Sequence, residues 1–127
     1  MLILLNYKHI KTNTMAIKTF KFNYDNHEAS ATFKVDTSIF TDEHARATLE
    51  FFLWNYDEEN DPITEVMKKY AMEAIWMSTK YSYNLNGVIS DFNNKEGFVK
   101  VDGSVGVTLL SVESYNFDED KLDYTVS

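Results

Sequence analysis

The sequence predicts an α+β domain, an antiparallel sheet of about four strands with two helices packed on one face, in the order ββααββ. Three observations predict it. Apolar and polar residues alternate from Ile17 to Tyr24 and again from Ala29 to Val35. Two segments with apolar residues at helical spacing follow, and Asp102-Gly103 then stands between two short apolar runs. Period two marks half-buried strands, a period near 3.6 marks helices, and Asp-Gly is a strong hairpin signal.

In the first strand pair Phe20, Phe22 and Tyr24 alternate with Thr19, Lys21 and Asn23, and Ala29, Ala31, Phe33 and Val35 alternate with Ser30, Thr32 and Lys34. Asp25-Asn26-His27 between them supplies turn formers that tolerate positive φ, so the two strands form a hairpin. Thr41 then precedes Asp42 and Glu43, a hydroxyl to cap free N–H groups and carboxylates at the positive end of a helix dipole. Ala45, Leu49, Phe52, Leu53 and Tyr56 continue at helical spacing, and this helix is expected to end near Asn55 or Tyr56.

Asp61 as N-cap and Pro62 at the first helical position start a second helix with the stripe Ile63, Val66, Met67, Tyr70, Ala71, Ala74 and Ile75. Met72, Trp76 and Met77 lie off that stripe, so the later half is apolar nearly all round and needs a cover, a sheet or a partner. Tyr83 to Gly97 is polar and reads as a loop with a short strand at Val88-Ile89. Phe98 to Val101 and Val105 to Val112 are the arms of the second hairpin. Tyr115 to Ser127 reads as one more edge strand or a draped tail.

The organisation is one domain from 15 to 127, preceded by residues 1 to 14 as a leader or an extra edge strand built on Ile3 and Leu5. The apolar run Met1 to Leu5 is far short of the roughly 18 residues of a membrane span, and it lacks the features of a signal peptide. With no cysteine there are no disulfides, thiolate metal sites or thiol nucleophiles, and the expected location is cytoplasmic.

The chain carries 12 Lys plus Arg against 20 Asp plus Glu, a net charge of -8, which argues against binding DNA or RNA by counterion release. At 44% hydrophobic residues it has too much core material for a disordered acidic tail. His9, His27 and His44 have no second ligand at metal-binding spacing. Asp57-Glu58-Glu59-Asn60-Asp61 opens like a calcium loop, but Pro62 stands where that loop needs Gly and Lys68 where it needs Glu. Asp91-Phe92-Asn93-Asn94-Lys95 fails likewise, with Glu96 at the turn. Gly87, Gly97, Gly103 and Gly106 form no phosphate cradle, and Ser104 and Ser111 have no nucleophile-elbow context. The expectation is a protein that is not an enzyme, with no catalytic residues, metal or cofactor.

The charge is unevenly placed. Residues 42 to 65 carry eight acids and only Arg46, residues 102 to 127 six acids and only Lys121, while 16 to 41 are neutral and 66 to 101 are +2. On the first helix Glu43, Ala47, Glu50 and Trp54 recur at spacings of three and four and lead into Asp57 and Asp61. Carboxylates seven residues apart stand about 10 Å apart along a helix axis. One reading is a solvated face with Arg46 bridging Glu43 and Glu50 and Trp54 in the core. The other is a surface for a basic protein groove, in which clustered acids speed encounter and an aromatic anchors contact.

The words Phe40-Thr41-Asp42-Glu43-His44-Ala45-Arg46-Ala47-Thr48-Leu49-Glu50-Phe51-Phe52 and Asp61-Pro62-Ile63-Thr64-Glu65-Val66-Met67, with Asp91-Phe92 and Glu96-Gly97-Phe98, carry a resemblance. From Met15 on, the chain resembles an uncharacterised family of small acidic proteins of bacteria, phages and mobile elements. That family has no assigned catalytic residues. The resemblance implies an anti-CRISPR type of inhibitor acting on an RNA-guided nuclease, in its sharper form an RNA-targeting one. The partner-binding residues expected on this reading are Glu43, Glu50, Trp54, Asp57, Glu58, Glu59 and Asp61, together with Asp118, Glu119, Asp120 and Asp123. The rival reading is an accessory protein of a mobile element that self-associates, for instance as a homodimer, through Met72, Trp76 and Met77. No membrane partner is expected.

Overall fold

A computed structural model describes residues 16–127. The leader expected over residues 1 to 14 lies outside the described residues. Strands β1 (Ile17–Tyr24) and β2 (Ala29–Asp36) come first, then helices α1 (Asp42–Phe51), α2 (Pro62–Tyr81) and α3 (Leu85–Asn94), then strand β3 (Val107–Glu113) and a single 3-10 turn (Glu119–Lys121). The fold class is α+β, as the periodicities indicate. The sheet among the described residues has three antiparallel strands in the order β1-β2-β3 rather than four, and three helices rather than two. No helix among them is long and apolar enough to cross a membrane.

The first hairpin forms as its turn residues dictate. Asp25, Asn26 and His27 all take positive φ (52°, 56° and 68°), and the register pairs Phe20 with Phe33 and Phe22 with Ala31. One face of β2 is therefore fully apolar and buried, with Ala29, Ala31, Phe33 and Val35 inside. α2 lies against this face with Ile63, Val66, Met67, Tyr70, Ala71, Ala74 and Ile75, the expected stripe, all in the core. Met77 is also buried completely, whereas Met72 and Trp76 remain about half exposed.

The third helix replaces the loop expected between Tyr83 and Gly97. Leu85, Val88, Ile89 and Phe92 stand at helical spacing, and Asn84 caps the start by accepting the Gly87 N–H at 2.9 Å. Val88 and Phe92 go into the core, so Val88-Ile89 is helix rather than strand.

The second hairpin shrinks to a turn. Phe98 to Val101 forms no ladder. The Val99 N–H donates to the buried Tyr70 hydroxyl at 3.0 Å, and only Asp102 bridges to Thr108. The Tyr70 contact thus takes the donor that a strand partner would have used. In β3 a bulge opposite Thr32 and Phe33 pairs Phe33 with Leu109 and Thr32 with Ser111, leaving Leu110 over. Leu109 points in and Leu110 out, and the extra residue returns Val112 to the core side, where simple alternation would have sent Ser111. The tail after β3 is draped and forms no edge strand.

Candidate interaction surfaces

Helix α1 begins as its sequence signals. Thr41 is the N-cap and accepts the His44 N–H at 3.3 Å. His44 occupies the place a Glu takes in a capping box. Its Nδ1 lies 3.3 Å from the Thr41 N–H and 2.9 Å from the Ile39 carbonyl, so the tautomer decides whether it accepts from the first or donates to the second.

The helix stops at Phe51, earlier than Asn55 or Tyr56. Leu53 takes the left-handed conformation (φ 54°), the Trp54 N–H donates to Leu49 O at 3.2 Å, and the Leu53 N–H donates to Glu50 O at 3.1 Å. These are the two bonds of a Schellman close. Because the chain turns there, Trp54 does not extend the row of Glu43 and Glu50. Its ring stacks on Phe52 at 4.3 Å and meets Phe98 at 5.9 Å edge-on, half-buried. Gly97 makes this aromatic cluster possible. Its φ is 86°, and a Cβ there would lie 2.4 Å from Phe51 Cε1 and 2.8 Å from Phe52 Cζ.

Glu43 and Glu50 are exposed on α1, and Arg46 forms no ion pair with either among the described residues. The α1–α2 loop is organised by a residue that sequence reasoning passed over, Glu65. Its carboxylate is buried on the first turns of α2. It accepts the Asp57 backbone N–H at 2.9 Å, the Asn60 side-chain amide at 2.9 Å and the Lys68 ammonium at 2.9 Å. Burial opposes its charge, but the Asp57 N–H, Lys68 and Asn60 together outweigh burial and lower its pKa from 4.5 to about 2. The available signals were Glu65 near the helix start, where negative charge is favoured, and Lys68 three residues on.

This network divides the loop acids by role. Asp61 caps α2, accepting from the Thr64 N–H at 2.9 Å and hydroxyl at 2.8 Å, and Asp57 accepts the Glu59 N–H at 3.0 Å. Glu58 and Glu59 are exposed, and neither side chain forms an ion pair among the described residues. Of the residues expected to meet a partner at this end, Glu43, Glu50, Glu58 and Glu59 therefore remain exposed and unpaired among the described residues, as does Asp42, while Asp57 and Asp61 shape the loop.

The second acidic group sits elsewhere. The Tyr115 N–H donates to Thr79 Oγ1 at 2.9 Å, and the Tyr115 hydroxyl donates to Asp25 at 2.9 Å, which raises the phenol pKa. Lys121 pairs with Glu28, donates to Asn116 O at 3.0 Å and lies 4.7 Å from the Tyr115 ring centre. Asp118 accepts the Asp120 N–H at 2.9 Å, and Glu119, Asp120 and Asp123 are exposed. This tail is fastened near the C-terminal end of α2, whereas Asp57 to Asp61 lie at its N-terminal end. A helix of 20 residues is about 30 Å long. The two acidic segments thus lie at opposite ends of α2.

Between them runs a feature of different chemistry. A groove of about 460 Å³ lies beside Tyr24, Ile75, Trp76, Lys80, Tyr115 and Phe117. A second hollow of about 510 Å³ shares Met72 and Trp76 with it and takes in Trp54, Lys69 and Lys95. The Lys80 ammonium lies 4.6 Å from the Trp76 ring centre, and Lys95 pairs with Glu73 at 3.4 Å. Trp54 belongs to this second hollow as well as to its stack on Phe52.

Among the described residues no group of three or more acids and histidines is placed to hold a metal ion. No family model matches the chain, and no curated protein and no solved structure matches it.

Proposed function

We propose that the protein is a non-catalytic inhibitor of the anti-CRISPR type, which binds the basic, nucleic-acid-handling surface of a host RNA-guided nuclease, in the sharper form an RNA-targeting one. The observation that carries the reading is the state of the acids in residues 42 to 65. Of those eight, only Glu65 is paired with a cation among the described residues, and Glu43, Glu50, Glu58 and Glu59 point carboxylates into solvent. Arg46 does not neutralise the row. Uncompensated charge of one sign on a rigid helix and a hydrogen-bonded loop suits electrostatic steering towards a basic groove. Asp118, Glu119, Asp120 and Asp123 form a second acidic contact about one helix length away, a separation suited to an extended basic channel. Trp54 is assigned to the aromatic stack that supports the loop.

The test has two arms. Purified protein is added in molar excess to guide-loaded effectors of the types present in bacterial hosts, and target cleavage is measured. Loss of cleavage with at least one effector is expected; undiminished cleavage across all of them removes the proposal. In the second arm Glu43, Glu50, Glu58 and Glu59 are changed together to Lys. Binding should weaken and lose most of its dependence on salt, and unchanged affinity would move the contact away from α1 and the loop.

A further inference from the structure

The C-terminal end of α2 carries two complementary features, and nothing in the described molecule joins them. One is the groove beside Trp76, floored by Ile75, walled by Tyr24, Tyr115 and Phe117, and edged by Lys80. The other is the segment that follows the 3-10 turn. Leu122, Tyr124 and Val126 are 72%, 86% and 88% exposed and alternate with Asp123 and Thr125. In extended backbone that alternation places the three apolar side chains on one face and Asp123 on the other.

We infer that this segment is an arm which seats in the groove of a second copy of the chain, so that two copies exchange arms about a two-fold axis. The inference leaves the acids on α1 and in the α1–α2 loop to the inhibitor reading but shares the tail acids Glu119, Asp120 and Asp123 with it, so a dimer covers the second acidic contact and leaves the first open. The arm's departure is fixed by the structure. Lys121 holds the turn to Glu28, to Asn116 O and over the Tyr115 ring, and Leu122 leaves it with extended backbone (φ -85°, ψ 131°). Fastened there, the arm stands at the lip of its own groove with its apolar side chains in water rather than within it.

Charge selects the occupant. From Met15 on the chain has 20 acids and 10 bases, so two copies repel one another over most of their surface. The groove is the exception. Lys80 and Lys69 have no carboxylate partner among the described residues, and Lys80 rests on the Trp76 ring instead. Packing groove against groove would set lysine against lysine. Packing arm into groove lays Leu122, Tyr124 and Val126 on Trp76 and Met72 and turns Asp123 outward at the rim, where the long side chain of Lys80, swinging off the Trp76 ring, meets it, with Glu119 and Asp120 behind. Five extended residues span about 17 Å, which matches the rise along α2 from Lys69 to Lys80.

Sedimentation equilibrium of the full chain, run over a wide concentration range and at two salt levels, tests the inference. A dimer that dissociates more readily at high salt is expected. The arm variant Leu122→Ser/Tyr124→Ser and the groove variant Lys80→Glu should each weaken it by about tenfold or more. Adding Asp123→Lys to the Lys80→Glu chain should restore much of the loss, since opposite charges again meet. The arm is exposed, so its variants test contact rather than folding. A chain that stays monomeric throughout overturns the inference, as does a dimer indifferent to both arm and groove substitutions. It is overturned too if, in a Trp54→Phe background, Trp76 emission depends on the arm at concentrations where the chain is monomeric, for the arm then closes on its own groove.

Discussion

At the N-terminal end of α2 a net charge of -7 over residues 42 to 65 is gathered around one buried carboxylate, Glu65, whose three hydrogen-bond donors hold the loop in place. At the C-terminal end residues 102 to 127 carry a net charge of -5, of which -3 sits on the tail after β3, whose large apolar side chains are left in water. In the first region Phe52 and Trp54 are folded back against Phe98 through the turn at Leu53, while Phe51 and Leu53 themselves stay exposed. In the second the large apolar side chains are held out. Equal sign and similar density of charge therefore accompany different architectures, one a rigid acidic surface and the other an acidic strand with an apolar side. The comparison teaches that composition alone identifies acidic segments but not what they present.

The sharpest way to break the first region is at Gly97. An added Cβ would fall 2.4 Å from Phe51 and 2.8 Å from Phe52, and φ at 86° is unfavourable for any other residue. Gly97→Ala is expected to destabilise the fold by about 3 kcal/mol, from backbone strain together with displacement of the aromatic stack. Denaturant unfolding of both chains measures it, and a change under about 1 kcal/mol would show that the two rings shift freely and that the cluster does not brace the loop.

Glu65 comes next. Its folded pKa is depressed from 4.5 to about 2, so its contribution to stability is complete above pH 4.5 and is lost as pH falls from there towards 2. The full shift corresponds to about 3 kcal/mol, but only a thin loop covers the carboxylate and water screens part of it, so about 1 to 2 kcal/mol is expected. Glu65→Gln should cost that amount at pH 7 and flatten the acid side of the stability profile. An unaltered profile between pH 5 and 2 would mean that another carboxylate governs it.

Neither Gly97 nor Glu65 was legible in the sequence in these roles, whereas several other features were. The hairpin of β1 and β2, the caps at Thr41 and Asp61 and the core stripe of α2 were readable because each rests on local chemistry or one clean period. The helix α3 was hidden by its asparagines and glycine, although Leu85, Val88, Ile89 and Phe92 carried the helical period. The missing strand at Phe98 to Val101 was not legible, because its Val99 N–H is taken by Tyr70, 29 residues away. Of the surface residues, the exposure of Glu43, Glu50, Glu58 and Glu59 followed from helix and loop patterning. The structural use of Asp57 by Glu65, and the separation of the two acidic segments by the length of α2, depend on contacts between elements and left no local mark.

A smaller and opposite effect is expected at Leu53. A left-handed φ of 54° costs a non-glycine residue about 1 kcal/mol, and this side chain is 88% exposed, so it loses little by removal. Leu53→Gly should leave the Schellman close intact and raise stability by about 0.5 to 1 kcal/mol, the added freedom of glycine in the unfolded chain offsetting part of the gain. If stability fell instead, Leu53 would be packing against something at the mouth of the acidic surface, and the contrast between folded-back and held-out apolar residues would weaken.

The smallest expected effect lies in the second region and depends on concentration. Leu122 and Tyr124 touch little within one copy, so Leu122→Ser/Tyr124→Ser should change the stability of dilute protein by less than about 0.5 kcal/mol. At high concentration the original chain should melt at a higher temperature than at low concentration, because association stabilises only the folded state, and the double variant should lose that increment. The same pair of concentrations applied to Glu65→Gln should preserve the increment while lowering both melting temperatures. That pattern would assign folding to one end of α2 and association to the other. A loss of stability from the arm variant in dilute solution would instead join the two ends, since the tail would then belong to the core of a single copy.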